Sequence, residues 1–412
     1  LSTTYSVTLG DTFDIISRKK YGTEKEALKI AKANPGVVEP LTVGISIIIP
    51  DLQEAPKNKT HDAESSNVDE VAILIDGKRF RFWDKVKITK SADKIGTIDL
   101  GAPFDADSKD FREIFKPFSF KSINATVGGE TFFTGTMVAI NPVLENTKKV
   151  IAVSGYSLPG VLNDCTSPAS TLELLEFQGQ GLREIAKTLL EPFGVSAEFK
   201  DDQGAIFDLV AIEPTKKILE FLIKLAKERN LIISSTPKGN LLFRKSAETG
   251  KPVANLIQGQ SPLLSVTPLF NPQQYYSHIT GIEPAITGLK GSKFTVKNER
   301  LKGSIRPLSF NVSDTNGGDT KEAVESKMGR MFGSMASYSI SVSSWRDPQG
   351  NLWEPSTTLK LEAKDAMIYS SYEFEIRSVD FLEDRSTQTA TLNLIIPNSF
   401  SGKIPEVLPW DE

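Results

Sequence analysis

One cysteine and two histidines in 412 residues leave little material for covalent staples or for histidine chemistry. Cys165 has no partner for an internal disulfide, so nothing covalent holds a small core together. His61 and His278 are too few for a histidine-built zinc site, and neither they nor Cys165 stand at metal-ligand spacing. No metal and no cofactor is therefore expected. An excess of basic charge is also missing: the formal net charge is −4. Nucleic-acid sequence recognition draws on a strongly basic surface and is set aside on that ground. No apolar run approaches the roughly 18 residues of a membrane span. The longest, near Ile45 to Ile49, is a strand's worth. The opening Leu1-Ser2-Thr3-Thr4-Tyr5 lacks the basic segment and apolar stretch of a secretory signal, and the expectation is synthesis and assembly in a cytoplasm.

What is present reads as a multidomain chain. With 24% charged and 39% hydrophobic residues it has ordinary globular composition, and its length suggests two to four domains. The clearest boundary is residues 51–67, DLQEAPKNKTHDAESSN, whose near lack of large apolar residues predicts a flexible linker. Residues 1–50 before it predict a small βααβ module. Tyr5 to Thr8 reads as a strand and Gly10 as a turn. Asp11 or Thr12 can cap a helix presenting Phe13 and Ile16. A second helix runs from Glu26 to Ala33, stopped by Asn34-Pro35-Gly36, and Leu41 to Ile49 alternates as the closing strand.

After the linker the pattern is mainly β with an α/β insert. Residues 68–171 carry short alternating runs with tight turns, Asp76-Gly77 and Gly128-Gly129 among them, which predict a first antiparallel barrel or sandwich. A strand is expected from Phe118 to Thr126. Residues 172–250 carry two helical periodicities, Gly181 to Glu191 and Lys216 to Arg229, each followed by strand-like segments. Residues 251–397 return to strands with one helix from Thr320 to Ala336, capped by Asp319 or Thr320, and 398–412 form a tail.

Nothing in these segments assembles a reaction. Gln178-Gly179-Gln180-Gly181 lacks the spacing and lysine of a phosphate loop, and Cys165 has no neighbouring histidine to activate it. No carboxylate stands in a recognisable acid–base motif, so no catalytic residue is assigned. The sharpest local string is Trp345 to Pro355, in which Asp347-Pro348-Gln349-Gly350 predicts a tight turn between strands bearing Trp345 and Trp353. Together with Trp83 these tryptophans are read as barrel core or as subunit-interface anchors.

Two resemblances sharpen the reading. The ordered set Tyr5-x-Val7-x-x-Gly10-Asp11-Thr12-Phe13-x-x-Ile16, Tyr21-Gly22, Ile30-Ala31-x-Ala33-Asn34-Pro35 and Leu41-x-x-Gly44-x-x-Ile47-x-Ile49-Pro50 resembles a LysM domain. That likeness implies a groove for N-acetylglucosamine glycans, or for docking, at Gly10, Asp11, Thr12, Phe13, Asn34 and Pro35. Val43-Gly44-Ile45 departs from it, standing where the family commonly has Pro-Gly-Gln.

The remainder, from about Val68 to Pro397, resembles the central baseplate hub of contractile-tailed phages of the Mu and T-even types. The likeness lies in Val71 to Val86, Phe132-Phe133-Thr134-Gly135 with Val153 to Leu158, Leu182 to Val195, and Arg306-Pro307-Leu308 with the Trp345 to Pro355 turn. It implies a homotrimer with two barrel domains per subunit, joining a hexameric tail tube to a trimeric spike. Tube, spike and inner baseplate proteins would be partners in the virion baseplate, peptidoglycan would be a further partner for the LysM-like arm, and no reaction is expected. A LysM-bearing cell-wall hydrolase, or the hub of a tailocin or secretion-type injection machine, are the alternatives.

Overall fold

The structure is a computed structural model that describes residues 3–8, 10–21, 27–34, 36–38, 40–49, 69–144, 149–168, 175–246, 249–282, 293–301, 303–312, 320–384, 386–399 and 407–411. The expected linker, residues 51–67, lies outside them.

The chain begins with β1 (Thr3–Ser6), α1 (Phe13–Tyr21), α2 (Ala27–Ala33) and β2 (Ser46–Ile49), the expected βααβ order. β1 and β2 pair antiparallel, with Tyr5 opposite Ile47. Pairing starts earlier than the predicted Tyr5 to Thr8 because the turn claims Thr8, whose backbone N–H donates to Asp11 Oδ2 at 2.8 Å. Thr12 caps α1: its Oγ1 accepts from Ile15 N at 3.2 Å. Phe13, Ile16, Ile30, Ile47 and Ile49 then close a small core of their own.

Antiparallel hairpins follow: β3 (Val71–Ile75), β4 (Lys78–Phe80), β5 (Lys85–Ser91), β6 (Thr97–Pro103), then the short helix α3 (Lys109–Ile114), β7 (Ser122–Val127), β8 (Glu130–Leu144) and β9 (Lys149–Ser157). Asp76 and Gly77 both take positive φ, 48° and 74°, as the turn between β3 and β4 requires. β7 begins at Ser122, not at the predicted Phe118. Phe118 and Phe120 have φ of 60° and 47°, a left-handed conformation that an extended strand excludes, and both rings face solvent.

The insert comprises α4 (Val161–Asp164), β10 (Glu176–Gln180), α5 (Leu182–Leu190), β11 (Ala197–Phe199), β12 (Phe207–Ala211), α6 (Ile218–Glu228), β13 (Ile232–Ser235) and β14 (Leu241–Arg244). β10 pairs antiparallel with β12, while β14 lies between β13 and a parallel β11. Leu182, Ile185, Ala186 and Leu189 of α5 meet Ile218, Leu222 and Leu225 of α6 at helical spacing in a separate core. That core reaches back to Leu162 in α4, ahead of the expected boundary at residue 172.

The last segment holds β15 (Asn255–Ile257), β16 (Leu263–Phe270), β17 (His278–Ile282), β18 (Lys293–Lys297), β19 (Pro307–Asn311), α7 (Thr320–Met335), β20 (Ala336–Val342), β21 (Thr358–Ala363), β22 (Ile368–Asp384) and β23 (Gln388–Ile395). β17, β18 and β19 form a small sheet covered by Val324 and Met328 of α7.

The two β segments do not meet at free edges. β22 pairs with β5 from Ser378 opposite Ser91 to Asp384 opposite Lys85, which joins both segments in one sheet of 13 strands. Its path runs β16-β20-β23-β22-β5-β6-β9-β8-β7-β3-β4, with β21 attached to β22 and β15 to β21. A bulge in β22 between Ile376 and Ser378 marks where it turns from β21 towards β5. One core serves both segments: Phe132 from the first stacks on Trp345 and lies edge-on to Phe381 from the second, at centroid distances of 5.8 and 4.9 Å.

Phe381 is fully buried at that seam. Phe381→Ala should lower unfolding free energy by about 3–5 kcal/mol. Urea unfolding of the full chain checks this, and a loss below about 1 kcal/mol would show that the seam does not rest on this ring.

Candidate functional site

Of the residues that the LysM resemblance singles out, Asp11 and Asn34 turn their polar atoms inward. Gly10 makes the turn after β1 with φ of 88°. Asp11 is buried. Its Oδ2 accepts from Thr8 N and Thr8 Oγ1, both at 2.8 Å, and from Tyr5 Oη at 2.9 Å. Its Oδ1 meets Lys19 Nζ at 2.7 Å. Burial pushes the Asp11 carboxyl up, but the Lys19 ammonium and the Thr8 and Tyr5 donors outweigh it and hold the group far below the usual carboxylate range. The same contact raises Lys19.

Asn34, also buried, ties α2 to β2. Its Nδ2 donates to Ile30 O at 2.8 Å and to Ile48 O at 2.7 Å, and its Oδ1 accepts from Ile48 N at 2.7 Å. Thr12 caps α1, and Phe13 sits in the core. Pro35 lies outside the described residues. Aliphatic side chains face outward instead: Val38 is 77% exposed, Val43 55% and Ile48 45%.

The tryptophans resolve towards one of their two readings. Trp345 and Trp353 are each 1% exposed and lie in the core of the chain. They do not sit on long strands, because a single bridge between Arg346 and Leu352 closes the turn. Asp347 organises it, its Oδ1 accepting from Gln349 N and Asn351 N at 2.9 Å. Both indoles are satisfied inside the protein: Trp345 Nε1 donates to Leu382 O at 3.1 Å and Trp353 Nε1 to Ser344 O at 3.0 Å. Trp83 is half-buried against the same core.

Local sequence patterns miss the ties that span the two segments. Arg346 Nε donates to Asp69 Oδ1 at 2.6 Å, and Arg377 holds Asp93 through Nε at 3.2 Å and Nη2 at 2.8 Å. Burial pushes Asp93 up, and Arg377 more than reverses it. Lys90 Nζ sits 3.7 Å from the centre of the Phe132 ring and 3.2 Å from Glu354. Among the described residues no group of three or more His, Cys, Asp or Glu is placed to hold a metal ion, and no helix is long and apolar enough to cross a membrane.

A continuous sheet built from two β segments, with an α/β unit inserted between them, is an architecture shared with solved phage tail proteins. The chain is similar to the 43 kDa tail protein of prophage MuSo2 from Shewanella oneidensis, at 25% identity and a TM-score of 0.68, over 80% of this chain and 99% of that one. It shares the fold of a tail protein from Neisseria meningitidis MC58, at 18% identity and a TM-score of 0.67, over 81% and 98% of the two chains. More particularly, it is 21% identical over 309 residues to the baseplate hub protein gp44 of Escherichia phage Mu, spanning 71% of this chain and 79% of that protein. Residues 159–245, the insert with α4, match the family described as baseplate hub protein gp44-like, second domain. These likenesses support a phage baseplate hub.

The Asp11 network carries a signed pH dependence. A carboxyl whose folded value is depressed stabilises the fold above its unfolded value of about 4, and that contribution is lost as the pH falls through the folded value. The module should therefore loosen on acidification below about pH 4. Asp11→Asn should cost it about 1–3 kcal/mol at neutral pH and flatten that acid response. Methyl resonances of Ile16, Ile30 and Ile47 in the full chain report both effects. Identical acid titrations of the two proteins would contradict the assignment.

Proposed function

We propose that the protein is the central hub of a contractile phage tail baseplate, a homotrimeric ring that adapts a hexameric tail tube to a trimeric spike. The likeness to the MuSo2 tail protein over 99% of that chain carries this reading, and the identity to the Mu hub supports it. A subunit whose two β segments share one sheet presents two sectors in fixed relation. Three such subunits under closed cyclic symmetry give six sectors, which suits a six-fold partner on one side and a three-fold partner on the other. Each sector would be barrel-like, and the hub would assemble in the host cytoplasm with tube, spike and inner baseplate proteins.

The N-terminal module serves, in this reading, as a LysM-like docking arm within the baseplate. Asp11 and Asn34 are committed to internal hydrogen bonds, and the exposed Val38, Val43 and Ile48 suit a protein contact. Peptidoglycan contact is the second reading, favoured by the Gly10 to Phe13 turn that a glycan groove would also use.

Sedimentation equilibrium of the full chain should give three times the protomer mass. A protomer mass persisting at high concentration would overturn the hub reading. Titration of the full chain with chitin oligomers should show no saturable binding. Micromolar binding abolished by Thr12→Ala would make wall recognition the function of the module.

A further inference from the structure

A cavity of about 420 Å³ lies where the insert, α7 and the main sheet meet. Four cations face it: the exposed Lys94 after β5 and Lys227 on α6, and the half-buried Arg330 on α7 and Arg377 on β22. One carboxylate, Asp93, lines it with them, and both Arg377 contacts at 3.2 and 2.8 Å engage that group. Glu220 and Glu228 line the adjoining crevice, where Glu220 pairs with Lys216 at 2.6 Å. Ile223, Ile232 and Ile395 give the cavity an apolar floor. Among the described residues, Arg330 Nη2 is buried with no hydrogen-bond partner.

A buried guanidinium donor with no partner, set beside further cations, is costly unless an anion accompanies it. Arg330 and Lys327 both act on Lys227, opposed by Asp93. Burial and the Arg330 charge together hold Lys227 and Lys327 below the usual ammonium range, and burial brings Arg330 down to about 10. Arg330 therefore still carries its charge at neutral pH. The surplus is local, since the chain as a whole is acidic. A guanidinium offers planar paired donors and an ammonium adds a movable point charge, which together suit an oxyanion. A volume of about 420 Å³ accepts a small tetrahedral ion and its water shell.

We propose that this junction is a binding site for a small multivalent oxyanion of the phosphate type, held by Arg330 and Lys227 with Lys94 and Arg377 at the rim. The ion neutralises the charge between the insert and the sheet and so fastens the insert against the β body. This goes beyond the hub reading and does not depend on it, because the site belongs to one chain.

The full chain is titrated with inorganic phosphate and with pyrophosphate by calorimetry and thermal unfolding, against sodium chloride at matched ionic strength. One saturable site per chain and a melting temperature that rises with phosphate but not with chloride are expected. Arg330→Gln should weaken binding by about tenfold or more and abolish the phosphate-dependent rise. Because it also removes a buried unpaired charge, it should melt at or above the wild type in phosphate-free buffer, an effect that a merely structural arginine would not give. Lys227→Gln, on the neighbouring helix, should weaken binding as well and guards against a folding failure of the first variant. Equal shifts with phosphate and chloride, or full binding by both variants, would overturn the proposal. So would protection by an acidic peptide alone, which would assign the cavity to a protein carboxylate.

Discussion

The pairing of β22 with β5 is the interaction on which the rest of the structure depends. These strands come from opposite ends of the chain, and their seven paired residues turn two β segments into one sheet. Backbone hydrogen bonds fix the register, and the side chains on both faces reinforce it. On one face Val86, Ile88, Val379 and Phe381 are buried. On the other, Asp380 accepts from Thr89 Oγ1 at 2.6 Å and pairs with Lys87 at 3.2 Å. A one-residue slip would exchange the two faces and bury Asp380, which is why the register has no neighbouring alternative.

From that seam follow the shared aromatic core and the seat of the insert. Ala92, immediately after β5, packs with Ile232 of β13 and Ile395 of β23, so all three units touch at one point. Gly96 N donates to Ser235 Oγ at 2.9 Å beside it. A Cβ at Gly96 would stand 3.2 Å from that oxygen and 3.2 Å from Thr89 O, so a small residue keeps this approach close. The cationic cavity occupies the same junction, and an anion there would act on the placement of the insert more directly than on the folding of any one unit.

Much of this was legible in the sequence, and the remainder was hidden for identifiable reasons. Periodicity located α5, α6 and α7 within a residue or two, and the buried stripes of α5 and α6 are strong. Asp76-Gly77 announced its hairpin through the conformation that the turn demands. Phe118 and Phe120 misled because aromatic residues favour strands, and propensity carries no information about a left-handed backbone. The seam between β5 and β22 was invisible, since partners nearly 300 positions apart leave no local pattern. For the same reason the joining of the two β segments in one sheet was not expected, and Trp345 and Trp353 stayed open between core and interface. In the N-terminal module the residues were found but not their direction: whether Asp11 and Asn34 face a groove or the fold depends on partners such as Lys19 and Ile48, which spacing does not reveal.

Hydrogen exchange on the intact chain tests the seam most directly. Amides of residues 85–91 and 378–384 should show the same high protection and open together in a single cooperative event, since each strand supplies the other's hydrogen-bond partners. Exchange of residues 378–384 at high protection while residues 85–91 exchange freely would mean that the two β segments fold as independent bodies, contradicting the continuous sheet on which this account rests.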